Sequence, residues 1–169
     1  MTHTLFLIDR VSFWLARLSA TLVVLLASGF VLALLAQVVF RYVLNIPLSW
    51  SEELATFLFV WSTVLAASYG VRGQEHLRLT FLQDVLPPMG RRVLNGFCQA
   101  LIAGFGIFLI REGWRLADLV WTNTSAAIGY PLGYLYIAIP VSGMLIVIHA
   151  LACIARLALA RPDDIDPIT

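Results

Sequence analysis

LSATLVVLLASGFVLALLAQVVF, residues 18–40, runs for 23 residues without one Asp, Glu, Arg or Lys. A helix of that length is about 34 Å long, enough to cross a hydrocarbon core of roughly 30 Å. Residues 54–71 and 93–110 meet the same condition over 18 residues each, and 132–155 over 24. With 60% of its 169 residues apolar and 12% charged, the chain lies far from an average soluble composition. These runs predict an all-α integral membrane protein with four transmembrane helices, forming a single membrane domain over residues 1–169.

Before the first run, THTLFLIDRVSFWLAR (residues 2–17) has a pattern of its own. Leu7, Ile8, Val11, Trp14, Leu15 and Leu18 fall on one helical stripe, with Asp9, Arg10, Ser12 and Arg17 outside it. The reading is an amphipathic helix over residues 1–17, lying on the membrane surface before the chain turns inward. A cleavable signal is not expected, because its apolar stretch would be about 7–15 residues.

All eleven basic residues are arginines. With four spans, Arg10, Arg17, Arg72, Arg78, Arg91, Arg92, Arg156 and Arg161 share a side with the termini, against Arg41, Arg111 and Arg115 opposite. The positive-inside rule then places both termini in the cytoplasm and an aromatic belt of Tyr130, Tyr134 and Tyr136 at the outer interface. A net charge of +1 gives no case for a nucleic-acid partner; membrane lipids are the expected surroundings. Cys98 and Cys153 lack metal-ligand spacing and read as small buried hydrophobes.

None of the four runs holds an Asp, Glu, Arg or Lys, although ion and substrate pathways need polar groups at depth. His149 is a lone intramembrane histidine, which fits hydrogen-bonded packing better than a haem ligand, so no cofactor and no enzymatic centre are expected. Pro140 is a candidate kink in the fourth run. Small and polar residues instead recur every fourth position: Gly29, Ala33, Gln37 and Arg41; Ser62, Ala66 and Gly70; Gly96, Ala100 and Gly104. Such stripes let helix backbones approach, within this chain or against a partner. The third helix reads on to Trp121, with Glu112–Arg115 and Arg115–Asp118 pairs. At roughly 46 Å it must tilt or project.

Between the first two runs, Ser49 and Glu52 fit a capping box. Glu53 fits it less well, because it shares a face with Trp50, Leu54, Phe57 and Trp61. A carboxylate there wants a cation, and Arg41 is the nearest by topology. On that reading Arg41, Trp50 and Glu53 pin the first hairpin or dock a partner's loop.

FRYVLNIPLSWSEELATFLFVW (40–61), GVRGQEHLRLTFL (70–82) and NTSAAIGYPLGYLYIAIP (123–140) resemble, in order and spacing, the small membrane subunit of tripartite ATP-independent periplasmic (TRAP) transporters. The resemblance covers about residues 35–145 and carries over Arg41, Tyr42, Trp50, Glu52, Glu53, Gly70, Gly73, His76, Pro131 and Pro140 as interface or structural positions. Thr80 departs from the acidic residue often found there. The resemblance implies a bacterial inner-membrane subunit that braces a large membrane subunit. That partner would hold the coupling ion, expected to be sodium, and a periplasmic binding protein would deliver an organic acid such as a dicarboxylate or sialic acid. The alternative is a stand-alone four-helix carrier acting as a homo-oligomer.

Overall fold

The computed structural model describes residues 2–46, 48–73 and 87–159. Helix α1 covers Thr2–Tyr42, α2 Ser49–Gly73, α3 Pro88–Leu119, α4 Gly133–Tyr136 and α5 Ala138–Leu159. Four stretches are long and apolar enough to cross a membrane: Ser12–Tyr42, Ser49–Val71, Met89–Leu119 and Gly133–Ala155. Among the described residues the only β-type pairing is an isolated bridge, Thr124 to Pro131.

One expectation changes at the helix boundaries. The surface helix over residues 1–17 is not a separate element, because α1 runs unbroken through Arg17 and Leu18. No proline interrupts residues 2–42, and extending an existing helix costs far less than nucleating another. Pro140 does interrupt the fourth span. The helix breaks at Ile137, between α4 and α5, one turn before Pro140, which supplies no N–H to the Tyr136 carbonyl.

The helices form an open array. α1 packs along α2 and α3 along α5, both extensively; α2 also packs along α5, and α1 touches α5 more lightly. Among the described residues neither α1 nor α2 packs along α3. The order α1–α2–α5–α3 leaves α5 as the most enclosed span and α1 as the most open.

Close contacts fix the register of each pair. A Cβ built on Gly29 would lie 3.3 Å from Leu58, the Phe30 and Phe59 rings are 5.4 Å apart, and Gln37 reaches Glu52. Along the α3–α5 seam, a Cβ on Gly106 would lie 2.7 Å from Val147 Cγ2 and 3.1 Å from Gly143 O. One on Gly113 would lie 2.7 Å from Ile139 and 2.8 Å from Pro140 Cδ. These glycines let the two backbones come together where a hydrophobic driving force between helices is absent.

Candidate functional site

The end where α1 turns into α2 gathers Arg41, Tyr42, Trp50, Glu52 and Glu53. The turn uses Asn45 at φ 55°, a left-handed conformation that asparagine tolerates. Ser51 is fully buried and donates to Leu48 O at 2.7 Å, tying down the start of α2. Glu52 accepts from Gln37 Nε2 at 3.0 Å, so its carboxylate couples α2 to α1. Arg41, Tyr42 and Trp50 are exposed, and the Arg41 guanidinium lies 6.0 Å from the Tyr42 ring.

Glu53 does not pair with Arg41. Its two oxygens accept the backbone N–H groups of Ala127 and Ile128, each at 2.8 Å. A carboxylate shared between two amides is a charge-assisted arrangement, stronger than a neutral hydrogen bond. The receiving segment is a tight hairpin-like loop. Ser125 N donates to Tyr130 O at 2.9 Å, and Leu132 N to Asn123 O at 2.8 Å. Gly129 N donates to Ser125 Oγ at 2.9 Å, and Gly129 has φ +79°, where a side chain would be strained.

Below this latch the loop descends along α2. Phe57 meets Tyr130 edge-on at 5.7 Å, and Trp61 Nε1 donates to Tyr134 O at 3.3 Å. Burial, and secondarily the nearby Glu53 charge, push the Tyr130 phenol above its ordinary pKa. Trp121, just after α3, lies directly on Gly133 and 5.3 Å from the Tyr134 ring. The site is therefore a clamp: α2 holds the α3–α4 connection at Glu53, Phe57 and Trp61. Its chemistry is positional, with a carboxylate fixing a loop.

Pro131 belongs to the clamped loop, where it pairs with Thr124. Other sequence-marked residues lie elsewhere: Pro140 is fully buried beside Gly113, and Gly70 is buried near the far end of α2, which closes at Gly73. His76 and Thr80 lie outside the described residues. Ala33 is half-buried; Ser62 is buried and donates to Phe59 O, while Ala66 is exposed. Among the described residues the α3 stripe faces no neighbour: a Cβ on Gly96 or Gly104 meets nothing within 4 Å, and Ala100 is exposed. On the third helix Glu112 does pair with Arg115, at 2.9 Å, but no Arg115–Asp118 pair forms.

Sequence reading missed the α3 positions that do face α5. Gly106 and Gly113 are seven residues apart, a heptad spacing that would have found them; Gln99, one heptad earlier, is also buried. It also missed Ser12, whose Oγ lies 2.8 Å from His149 Nδ1 in a fully buried contact between α1 and α5. A double-mutant cycle of Ser12→Ala and His149→Phe, read by thermal unfolding in detergent, is expected to give a coupling of about 1 kcal/mol. Additive losses would show that the contact contributes nothing.

A family model for the DctQ component of tripartite ATP-independent periplasmic transporters matches residues 30–160. The chain is 36% identical over 112 residues to the sialic acid TRAP transporter permease protein SiaT of Haemophilus influenzae strain 86-028NP, covering 66% of this chain but only 18% of that relative. It is 32% identical over 111 residues to a putative TRAP transporter small permease protein of Haemophilus influenzae strain Rd, covering 65% of this chain and 68% of the relative. It is 26% identical over 121 residues to the C4-dicarboxylate TRAP transporter small permease protein DctQ of Vibrio cholerae, covering 69% of this chain and 52% of the relative.

Proposed function

The chain belongs to the DctQ family, the small-permease component of TRAP transporters, and from that premise we propose that it braces a large membrane subunit during uptake of an organic acid. It is a multi-pass membrane transporter component and not an enzyme. The large subunit translocates substrate and holds the coupling ion, sodium. A periplasmic binding protein delivers a sialic acid, a C4-dicarboxylate or a related anion. Both termini face the cytoplasm of a bacterial inner membrane, an orientation supported by eight arginines against three. The clamp at Glu53 is then on the periplasmic side.

The observation that carries this reading is the match to SiaT, in which a sequence like this chain occupies 18% of a much longer permease. A segment fused in one protein and separate in another points to two parts that work together. The open α3 face supports it. Gly96, Ala100 and Gly104 allow a neighbouring helix to approach, and the described residues supply none.

Purification in mild detergent from native membranes is expected to recover a near-stoichiometric polytopic partner roughly twice this chain's size or more. Recovery of this chain alone across several detergents would favour the stand-alone carrier. Gly104→Leu is expected to lower partner yield several-fold while leaving this chain's own thermal midpoint unchanged. Unaltered yield would assign that face to lipid.

A further inference from the structure

The contacts that fix each pair also fix the whole array along its axes. Gly29 to Leu58 and Gln37 to Glu52 align α1 with α2. Trp61 to Tyr134 aligns α2 with the chain entering α5, and Ser12 to His149 extends the same register through α1, more than two turns further along. Gly106 to Val147 and Gly113 to Pro140 align α3 with α5. A register held over such lengths means the axes run alongside one another.

In that common frame the polar boundaries do not lie level. At the hairpin end, α1 turns polar at Arg41, whereas Arg111, Glu112 and Arg115 of α3 lie level with Ala20 to Val24 of α1, one to two turns inside Arg17. At the far end the same step recurs. Arg17 on α1 and Arg72 on α2 are level with each other, Arg156 on α5 lies further along, and Arg91 on α3 further still. Both boundaries slant the same way, by about seventeen residues or more, or roughly 26 Å at 1.5 Å per residue. Two lateral steps of about 9 Å separate α2 from α3 by way of α5.

An upright array with α1 seated between Arg17 and Arg41 would place the α3 charges inside the span, one to two turns from its Arg17 end and against lipid: the Arg111 and Arg115 side chains are 80% and 72% exposed. Charged groups there are costly and normally face a polar surrounding. A lean removes the conflict. We propose that α1, α2, α5 and α3 cross the membrane as a slanted slab, at roughly 45° to the bilayer normal, so that Arg41–Tyr42–Trp50 and Arg111–Trp114–Arg115 occupy one lipid headgroup layer. Each set joins arginine to exposed aromatics, the composition that anchors at a headgroup interface. The lengths fit: the 31-residue spans of α1 and α3 leaning at 45° cover about 33 Å of depth, close to a hydrocarbon core of roughly 30 Å. The inference requires only that the helices span a membrane, and it stands apart from the bracing role.

Val24 and Trp114 provide the test, because they share a register and are both exposed, at 64% and 59%. Spin labels at Val24→Cys and Trp114→Cys, in the full-length chain carrying Cys98→Ala and Cys153→Ala and reconstituted in phosphatidylcholine vesicles, report depth by collision with oxygen against a nickel chelate. The slab predicts a label at 114 among the headgroups and one at 24 more than about 12 Å deeper. Equal depths would overturn it. Polarised infrared dichroism of the unaltered chain in oriented bilayers gives the mean helix tilt without any substitution. A value near 45° is expected. One near the ordinary 20° would overturn the lean even with unequal label depths, replacing it with a locally thinned bilayer.

Discussion

Gly113→Leu is expected to unseat α3 from α5 and to abolish recovery of a monodisperse chain in mild detergent. A Cβ at that position would stand 2.7 Å from Ile139 Cγ2, 2.8 Å from Pro140 Cδ and 3.0 Å from Pro140 N. None of these is the far end of a flexible side chain. Pro140 is a ring fused to the backbone, and it is fully buried. Overpacking of this kind costs about 1–3 kcal/mol where neighbours can shift, and here the leucine must displace a helix. α3 has no other extensive partner in the chain, so the loss is not shared. The thermal midpoint by fluorescence-detected size exclusion reads the effect, with Gly104→Leu as the matched control. A Gly113→Leu protein as stable as wild type would mean that the seam is not closed in the membrane.

Glu53→Gln is expected to release the loop over residues 123–132 while leaving the helices in place. The substitution keeps size and one acceptor oxygen but removes the charge that strengthens the bonds from Ala127 and Ile128. Hydrogen exchange at those two amides should quicken by tenfold or more, with little change in the α1–α2 seam, where Glu52 holds Gln37 independently. If the clamp positions the bracing surface, reconstituted uptake falls in parallel. Unchanged exchange at Ala127 and Ile128 would reduce Glu53 to ordinary helix-start chemistry.

The four spans were legible because lipid leaves the chain few choices: every backbone group must be paired within a helix, and only long apolar runs serve. Glu53 was legible as an anomaly but not in its partner. Backbone amides carry no signature in the sequence, and these lie 74 and 75 residues further on. Arg41 attracted attention because charge is visible in a sequence and amides are not. The every-fourth stripe was informative on α1, where Gly29 and Gln37 do meet α2. On α3 it marked a face with no neighbour among the described residues, while the seventh-residue spacing of Gly106 and Gly113 marked the true seam. The break before α5 was legible in Pro140, whose missing N–H and ring act on the turn before it, so the helix parts at Ile137.

The two extensive seams join helices that follow one another along the chain, α1 with α2 and α3 with α5, whereas the seam between α2 and α5 bridges the two halves. Each half is therefore a helical hairpin that closes on itself as soon as it is synthesised, with only short chain loops to order. Assembly of the whole reduces to one encounter between two finished units in the plane of the bilayer. Two separately expressed pieces, divided between Gly73 and Pro87, should meet in the membrane and rebuild the protein without a covalent link.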